Sequence, residues 1–263
     1  MRVLVLLLLL ACTTEDPEVS KRLYVIAGQS NALGSPLTTA LADSSLASTY
    51  SNVTIVRQWG TSTDTPFTWE EHAAEALAPR DPDPAGGNKF HGVELSMGRA
   101  LDAKYPGRVY LLQFAVSASG LANHWQPDSN VLSGQATNLY AQLVAEIEEQ
   151  ETALGARLEG VAWIQGNNDA GVQARAEAYA ANARILQRSL REDLPSRDFR
   201  FVFDQLSQYQ TSTYMSTVRA QQAELAQDPA FTMLKTDSYK LTDGDHYDSA
   251  SFVDLGYAFA RAL

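Results

Sequence analysis

Leu23-Tyr24-Val25-Ile26-Ala27-Gly28-Gln29-Ser30-Asn31-Ala32-Leu33-Gly34 is the stretch on which the fold turns. Its unbroken apolar start, Leu23 to Ala27, suits a central parallel strand covered on both faces. The run breaks at Gly28, which relieves backbone crowding ahead of Ser30. Asn31-Ala32 then opens a helix whose free N–H groups point back at the serine. A serine hydroxyl is a poor nucleophile until a neighbouring base removes its proton. Strand, tight turn, serine and helix start are what an exposed nucleophile of that kind requires.

The matching base lies near the other end, in Asp243-Gly244-Asp245-His246. Imidazole is the usual base near neutral pH. A carboxylate three residues earlier lies within one turn, close enough to hold Nδ1–H and leave Nε2 for Ser30. Among the other histidines, His72 falls in a predicted helix, His91 precedes one, and His124 has no acidic residue three before it. His246 is therefore the expected base. A calcium loop needs an oxygen ligand where Tyr247 sits and a glycine where Asp248 sits, so no metal is expected, and no cofactor.

Between these clusters the chain alternates β-rich runs with longer helical ones. Strands are expected at Arg22 to Ala27, Val53 to Arg57, Val109 to Ala115, Leu158 to Gln165 and Phe199 to Leu206, with a weaker one at Phe231 to Thr236. Apolar stripes at helical spacing follow: Val93, Met97 and Leu101; Leu139, Leu143 and Ile147; Tyr179, Ala183, Leu186 and Leu190. Further helices are expected from Tyr214 to Ala226 and from Ser249 to Leu263. This rhythm means a parallel sheet with helices on both faces. Ligands gather at the carboxyl ends of such strands. Gly60 to Lys89 fits poorly and reads as a loop at the rim of the site.

Two more polar clusters fall at strand ends. One is Ser117-Ala118-Ser119-Gly120-Leu121, with Trp125 beyond; the other is Gln165-Gly166-Asn167-Asn168-Asp169. A tetrahedral intermediate needs two or three fixed donors. The backbone N–H of Ser30 and of Ser117 or Ala118, with the side-chain amide of Asn168 or Gln165, are the candidates. Gln29 and Trp125 are expected on the substrate side, and Trp59 and Trp69 are further candidates to stack on a sugar ring.

Length and charge set the bounds. The 263 residues are 45% hydrophobic, enough for one α/β domain over residues 21–263. A formal charge of −11 argues against a nucleic-acid partner, which needs clustered cations. Residues 1–11 read as a signal peptide: Met1-Arg2, an apolar run from Val3 to Leu10, then Ala11. Eight apolar residues reach only ~12 Å, far short of a bilayer core of ~30 Å. Leu9-Leu10-Ala11-Cys12 is similar to the bacterial lipobox. The resemblance implies export and lipidation at Cys12, the only cysteine, with residues 12–20 as a tether and the anchor as the sole membrane contact.

Gly28-Gln29-Ser30-Asn31, the turn at Ser117, Trp163-Ile164-Gln165-Gly166-Asn167-Asn168-Asp169 and Asp243-Gly244-Asp245-His246 resemble, in order, the four blocks of SGNH hydrolases. The branch they resemble is carbohydrate esterase family six with the sialate O-acetylesterase-like proteins. Phe90-His91-Gly92-Val93-Glu94-Leu95 resembles a helix-opening block of that branch. The resemblance covers residues 22–263. It implies a flavodoxin-like three-layer α/β/α sandwich and metal-free removal of acetyl groups from sugars. It also implies Ser30 as nucleophile, His246 as base and Asp243 as orienter. Two positions depart from the branch: Ser117-Ala118 replaces a glycine pair, and Asn167 stands where a glutamate usually follows Gln-Gly. The alternatives are a lipid or thioester acyl hydrolase of the same superfamily, and a surface lipoprotein that binds glycans without turnover.

Overall fold

In the first strand, β1 (Lys21–Gly28), alternate residues face opposite sides of a sheet. Leu23, Val25 and Ala27 enter one buried cluster and Tyr24 and Ile26 enter the other, so β1 lies at the centre with a core on each face. The computed structural model describes residues 20–61, 68–81, 89–128 and 138–263, with the side chains of 61 and 68–72 outside that set. Residues 1–19, and with them Cys12 and most of the expected tether, lie outside the described residues.

After β1 come α1 (Ser30–Leu33), β2 (Tyr50–Thr61), β3 (Thr68–Leu77), α2 (Glu94–Lys104), β4 (Val109–Ser117) and α3 (Leu121–His124). The second half holds α4 (Leu139–Leu154), β5 (Ala156–Ile164), α5 (Gln173–Glu177), α6 (Tyr179–Asp193), β6 (Arg200–Asp204), α7 (Met215–Leu225), β7 (Phe231–Leu234) and α8 (Ser249–Ala262). The strands form one sheet in the order β3-β2-β4-β1-β5-β6-β7. All pairs are parallel except β2 with β3.

The helical stripes seen in the sequence are the faces that cover this sheet. Leu139, Leu143 and Ile147 of α4 and Tyr179, Ala183, Leu186 and Leu190 of α6 pack in the first cluster. Val93, at the start of α2, joins Met97 and Leu101 in the second, with Phe252, Leu255 and Phe259 of α8. Each large side chain so buried stabilises the fold by roughly 1.5–3 kcal/mol before entropy is counted. The result is the expected α/β/α sandwich with its parallel sheet in the middle.

One expectation fails in detail. The region from Gly60 to Lys89 is not a plain loop, because Thr68–Leu77 is a strand antiparallel to β2, with Gly60 opposite Trp69 and Arg57 opposite His72. His72 therefore lies on a strand and not on a helix. Glu, Ala and His in this stretch carry no β preference of their own. Pairing with a β2 that runs on to Thr61 overrides that local preference.

The topology also fixes where a site can form. From β1 the chain crosses to β2, returns to β4 beside β1, and then passes to β5 on the other side. Gly28 is level with Ala115 of β4 and Ile164 of β5. The residues just past these three strand ends therefore meet at a topological switch point.

Candidate active site

Ser30 is presented by a turn that only glycine permits. Gly28 has φ +142°, and a Cβ there would lie 2.1 Å from the Ile164 carbonyl oxygen. The close approach lets Gln29 N–H donate to that same oxygen at 3.1 Å. Helix α1 starts at Ser30 and stops at Gly34, whose φ is +82°. A Cβ on Gly34 would sit 2.4 Å from the His91 carbonyl oxygen, so His91-Gly92 packs against the end of the serine helix. From beneath, Gln113 of β4 donates to the Ala32 carbonyl at 2.8 Å. The N–H groups of Ser30 and Asn31 make no hydrogen bond among the described residues. They are the free donors of a helix start.

His246 is held in a tight turn by its own neighbour. Its Nδ1 lies 2.7 Å from Asp243 Oδ2. Asp243 Oδ1 accepts the N–H of Asp245 at 3.0 Å and of His246 at 2.9 Å. Partial burial pushes the Asp243 carboxyl up, but the His246 ring and these two amides outweigh it and hold the carboxyl at about 2. Asp248 faces elsewhere, capping α8 by accepting Ser251 N–H at 2.8 Å. Asp243 and His246 thus pair with each other while Asp248 turns to α8, and no cluster arranged to hold a metal occurs among the described residues.

The opposite wall is built from the ends of β4 and β5. Ala118 has φ +57°, the one non-glycine residue with positive φ among those described. This is the position where the sequence departs from a glycine pair, and the backbone keeps a conformation that favours glycine. The Ala118 carbonyl accepts Asn168 Nδ2 at 2.8 Å, and Asn168 Oδ1 accepts Arg175 Nη1 at 2.7 Å. These bonds fix the orientation of the Asn168 amide. Gln29 braces the same loop, its Oε1 accepting the N–H of Gly166 at 3.2 Å and of Asn168 at 3.4 Å.

Beneath the loop, buried Asp169 accepts Leu121 N–H at 2.7 Å, Ala122 N–H at 3.0 Å and Gln165 Nε2 at 2.6 Å. Burial pushes its carboxyl up, and those three donors pull against the shift. Gln165 is therefore not an oxyanion donor in this geometry. Its amide is 1% exposed and is spent on Asp169, Ser119 and Gln29.

Trp125 also departs from expectation. It is fully buried, donates Nε1–H to Ser119 Oγ at 2.9 Å, and packs edge-on against Phe114 and Trp163. It is a core residue behind the site and cannot stack on a ligand. Trp59 is likewise buried, while the Trp69 side chain lies outside the described residues. The helix-opening block has a structural use: buried His91 pairs its Nε2 with Ser249 Oγ at 2.8 Å, joining the serine helix to the start of α8.

The two walls enclose one cleft of about 430 Å³. Gln29, Ser30, Ser117, Ala118 and Asn168 line it, together with His246. Ser30 and His246, far apart in sequence, are thereby brought together. Asn167 and Asp245 also reach the cleft, as does Ser212 from the loop after β6. Ser212 belongs to no motif and left no signal in the sequence. Among the described residues of the lining, Ala118 is the one apolar side chain.

Residues 20–263 match the family described as carbohydrate esterase, sialic acid-specific acetylesterase. The chain belongs to that family. Membership makes this carbohydrate esterase a carboxylic ester hydrolase. Its fold is shared with a protein of Arabidopsis thaliana at TM-score 0.70 and 19% identity, over 92% of this chain and 97% of that one. It is shared with a carbohydrate acetylesterase from Xanthomonas citri at 0.64 and 17%, over 92% and 55%. NanS gives 0.65 and 13%, over 93% and 99%. No curated protein matches the esterase significantly by sequence.

Proposed function

We propose that this esterase removes O-acetyl groups from carbohydrate, with Ser30 as nucleophile, His246 as base and Asp243 as its orienter. One observation carries the reading: the His246–Asp243 pair at 2.7 Å opens onto the cleft that Ser30 lines at the end of β1. Asp243 holds Nδ1, which leaves Nε2 for the Ser30 hydroxyl. Ser30 Oγ attacks the acetyl carbonyl as His246 takes its proton. The N–H groups of Ser30 and Ala118, with the Asn168 amide, receive the developing oxyanion. The intermediate collapses as His246 protonates the departing sugar oxygen. Water, deprotonated by His246, then releases acetate from acetyl-Ser30.

The amides, hydroxyls, carboxylate and imidazole of the lining offer a hydroxylated sugar several hydrogen-bonding groups, which supports the sugar reading. Acetate release from acetylated xylan, O-acetyl sialic acids and acetylated peptidoglycan tests this. The wild type is expected to release acetate from at least one, and Ser30→Ala to lose about 10⁴-fold or more while keeping its circular dichroism. Rates that rise with acyl length on simple esters, or full turnover by Ser30→Ala, would overturn the assignment. We further infer export and attachment through a lipidated Cys12, on the sequence Leu9-Leu10-Ala11-Cys12. Fatty-acid labelling that Cys12→Ser abolishes is the expected result.

A further inference from the structure

Ser30 is flanked by two buried amide side chains that reach in opposite directions. Gln29 turns toward the end of β5, as described above. Asn31, 2% exposed, turns toward the His246 loop. Its Nδ2 donates to the Asp245 carbonyl at 3.0 Å, and its Oδ1 accepts the Tyr247 N–H at 3.3 Å. The two bonds bracket His246, one on each side along the chain. A single side chain therefore uses both ends of its amide to grip the backbone that carries the imidazole. It does so from the residue covalently next to Ser30.

We propose that Asn31 is a positioning residue that sets the separation and angle between the His246 ring and the Ser30 hydroxyl. The proposal rests on the assignment of Ser30 and His246 above. The His246 turn needs such a tie because Asp243 and Asp245 are exposed and most of the turn's bonds are internal. The internal bonds shape the turn, and buried Tyr247 anchors its far end through Asp204, but of these ties only the Asn31 bonds reach it from the residue next to Ser30. Gln210 also donates to the Asp245 carbonyl, at 3.2 Å, but it comes from the loop after β6 and has no covalent link to Ser30. Asparagine suits the task because it supplies a donor and an acceptor at one spot. Aspartate keeps the shape and the acceptor but loses the donor. Alanine loses both.

The test measures kcat and KM on p-nitrophenyl acetate, with active sites counted by the burst of acetylation. Asn31→Ala is expected to lower kcat per titrated site by about 10²-fold, the scale of an ångström-sized misplacement, with KM within threefold. Asn31→Asp is expected to lose about 10-fold, and labelling of Ser30 by a fluorophosphonate to slow by the same factor in each variant. A residue that only stabilises the fold would lower Tm and the fraction of active sites but leave kcat per site unchanged. Gln210→Ala is expected to stay within threefold of wild type. Asn31→Asp decides the matter if Asn31→Ala does not fold. Wild-type kcat per site in the Asn31 variants, or an equal loss in Gln210→Ala, overturns the proposal. Ser30→Ala run alongside separates the two failures: full activity there sinks the nucleophile assignment itself.

Discussion

The two walls of the cleft each stand on a buried carboxyl, and the two are held differently. Under the Asn168 wall, Asp169 has three donors, two of them backbone amides of the segment that starts α3. Under the His246 wall, Asp204 at the end of β6 has Tyr247 Oη–H on one oxygen at 2.8 Å, while the other oxygen has no partner. Burial pushes the Asp204 carboxyl up to about 7. A well-supplied carboxylate ties one loop to another; a poorly supplied one becomes a proton-holding group near neutral pH. The Asn168 side is thus tied to the start of α3 by three donors on one carboxyl, and the His246 side rests on a carboxyl that holds its proton near neutral pH.

The largest effect that sharpens this contrast is a pH dependence of stability. The folded carboxyl of Asp204 sits near 7 against an ordinary 3.8, so between those values the folded chain keeps a proton that the unfolded chain releases. Its contribution is fully present below about pH 4 and is lost as pH rises through 7, on the order of 4 kcal/mol at most. Urea unfolding at pH 4.5 and 7.5 is expected to show a steeper loss for wild type than for Asp204→Asn. Parallel slopes in the two proteins would remove the contrast.

On the other wall, Asp169→Asn offers one acceptor oxygen where three donors converge and turns an NH₂ toward them. A loss of about 2–3 kcal/mol is expected, read from the same unfolding curves at one pH. A cost below 1 kcal/mol would mean that the wall does not depend on this carboxylate. The smallest effect concerns Ala118, whose positive φ is strained for any residue but glycine. Ala118→Gly is expected to raise stability by about 0.5–1 kcal/mol, seen as a Tm increase of a few degrees, because relief of strain exceeds the added chain entropy. A fall in Tm would show that the alanine methyl earns its place by packing.

The sheet, its flanking helices and the pairing of Asp243 with His246 were legible because each is a local pattern. The unbroken apolar run of Leu23 to Ala27 and the fourfold spacing of Leu139, Leu143 and Ile147 survive folding unchanged. A carboxylate three residues before a histidine is likewise a short-range fact. What escaped depends on partners far along the chain. Strand β3 forms because β2 extends beside it, so its own composition misleads. Trp125 read as a ligand platform because it follows a strand-end turn, yet Phe114 and Trp163 enclose it. Gln165 and Asn168 differ by three residues in sequence, and only the place of Asp169 decides which amide reaches the cleft. Asn31 read only as a helix opener within the Gly28-Gln29-Ser30-Asn31 block and Ser212 stood in no motif, since the contacts of each depend on what the fold brings against them.

The antiparallel hairpin of β2 and β3 bears on a different matter, the behaviour of the protein at high concentration. It makes the sheet end on β3, whose sequence Thr-Trp-Glu-Glu-His-Ala-Ala-Glu-Ala-Leu carries three carboxylates in ten residues. A sheet edge is a template for a second copy, and charges along it oppose strand-to-strand association. The segment that fits the α/β rhythm least is therefore the one that forms this margin of the sheet, with an acidic sequence along it.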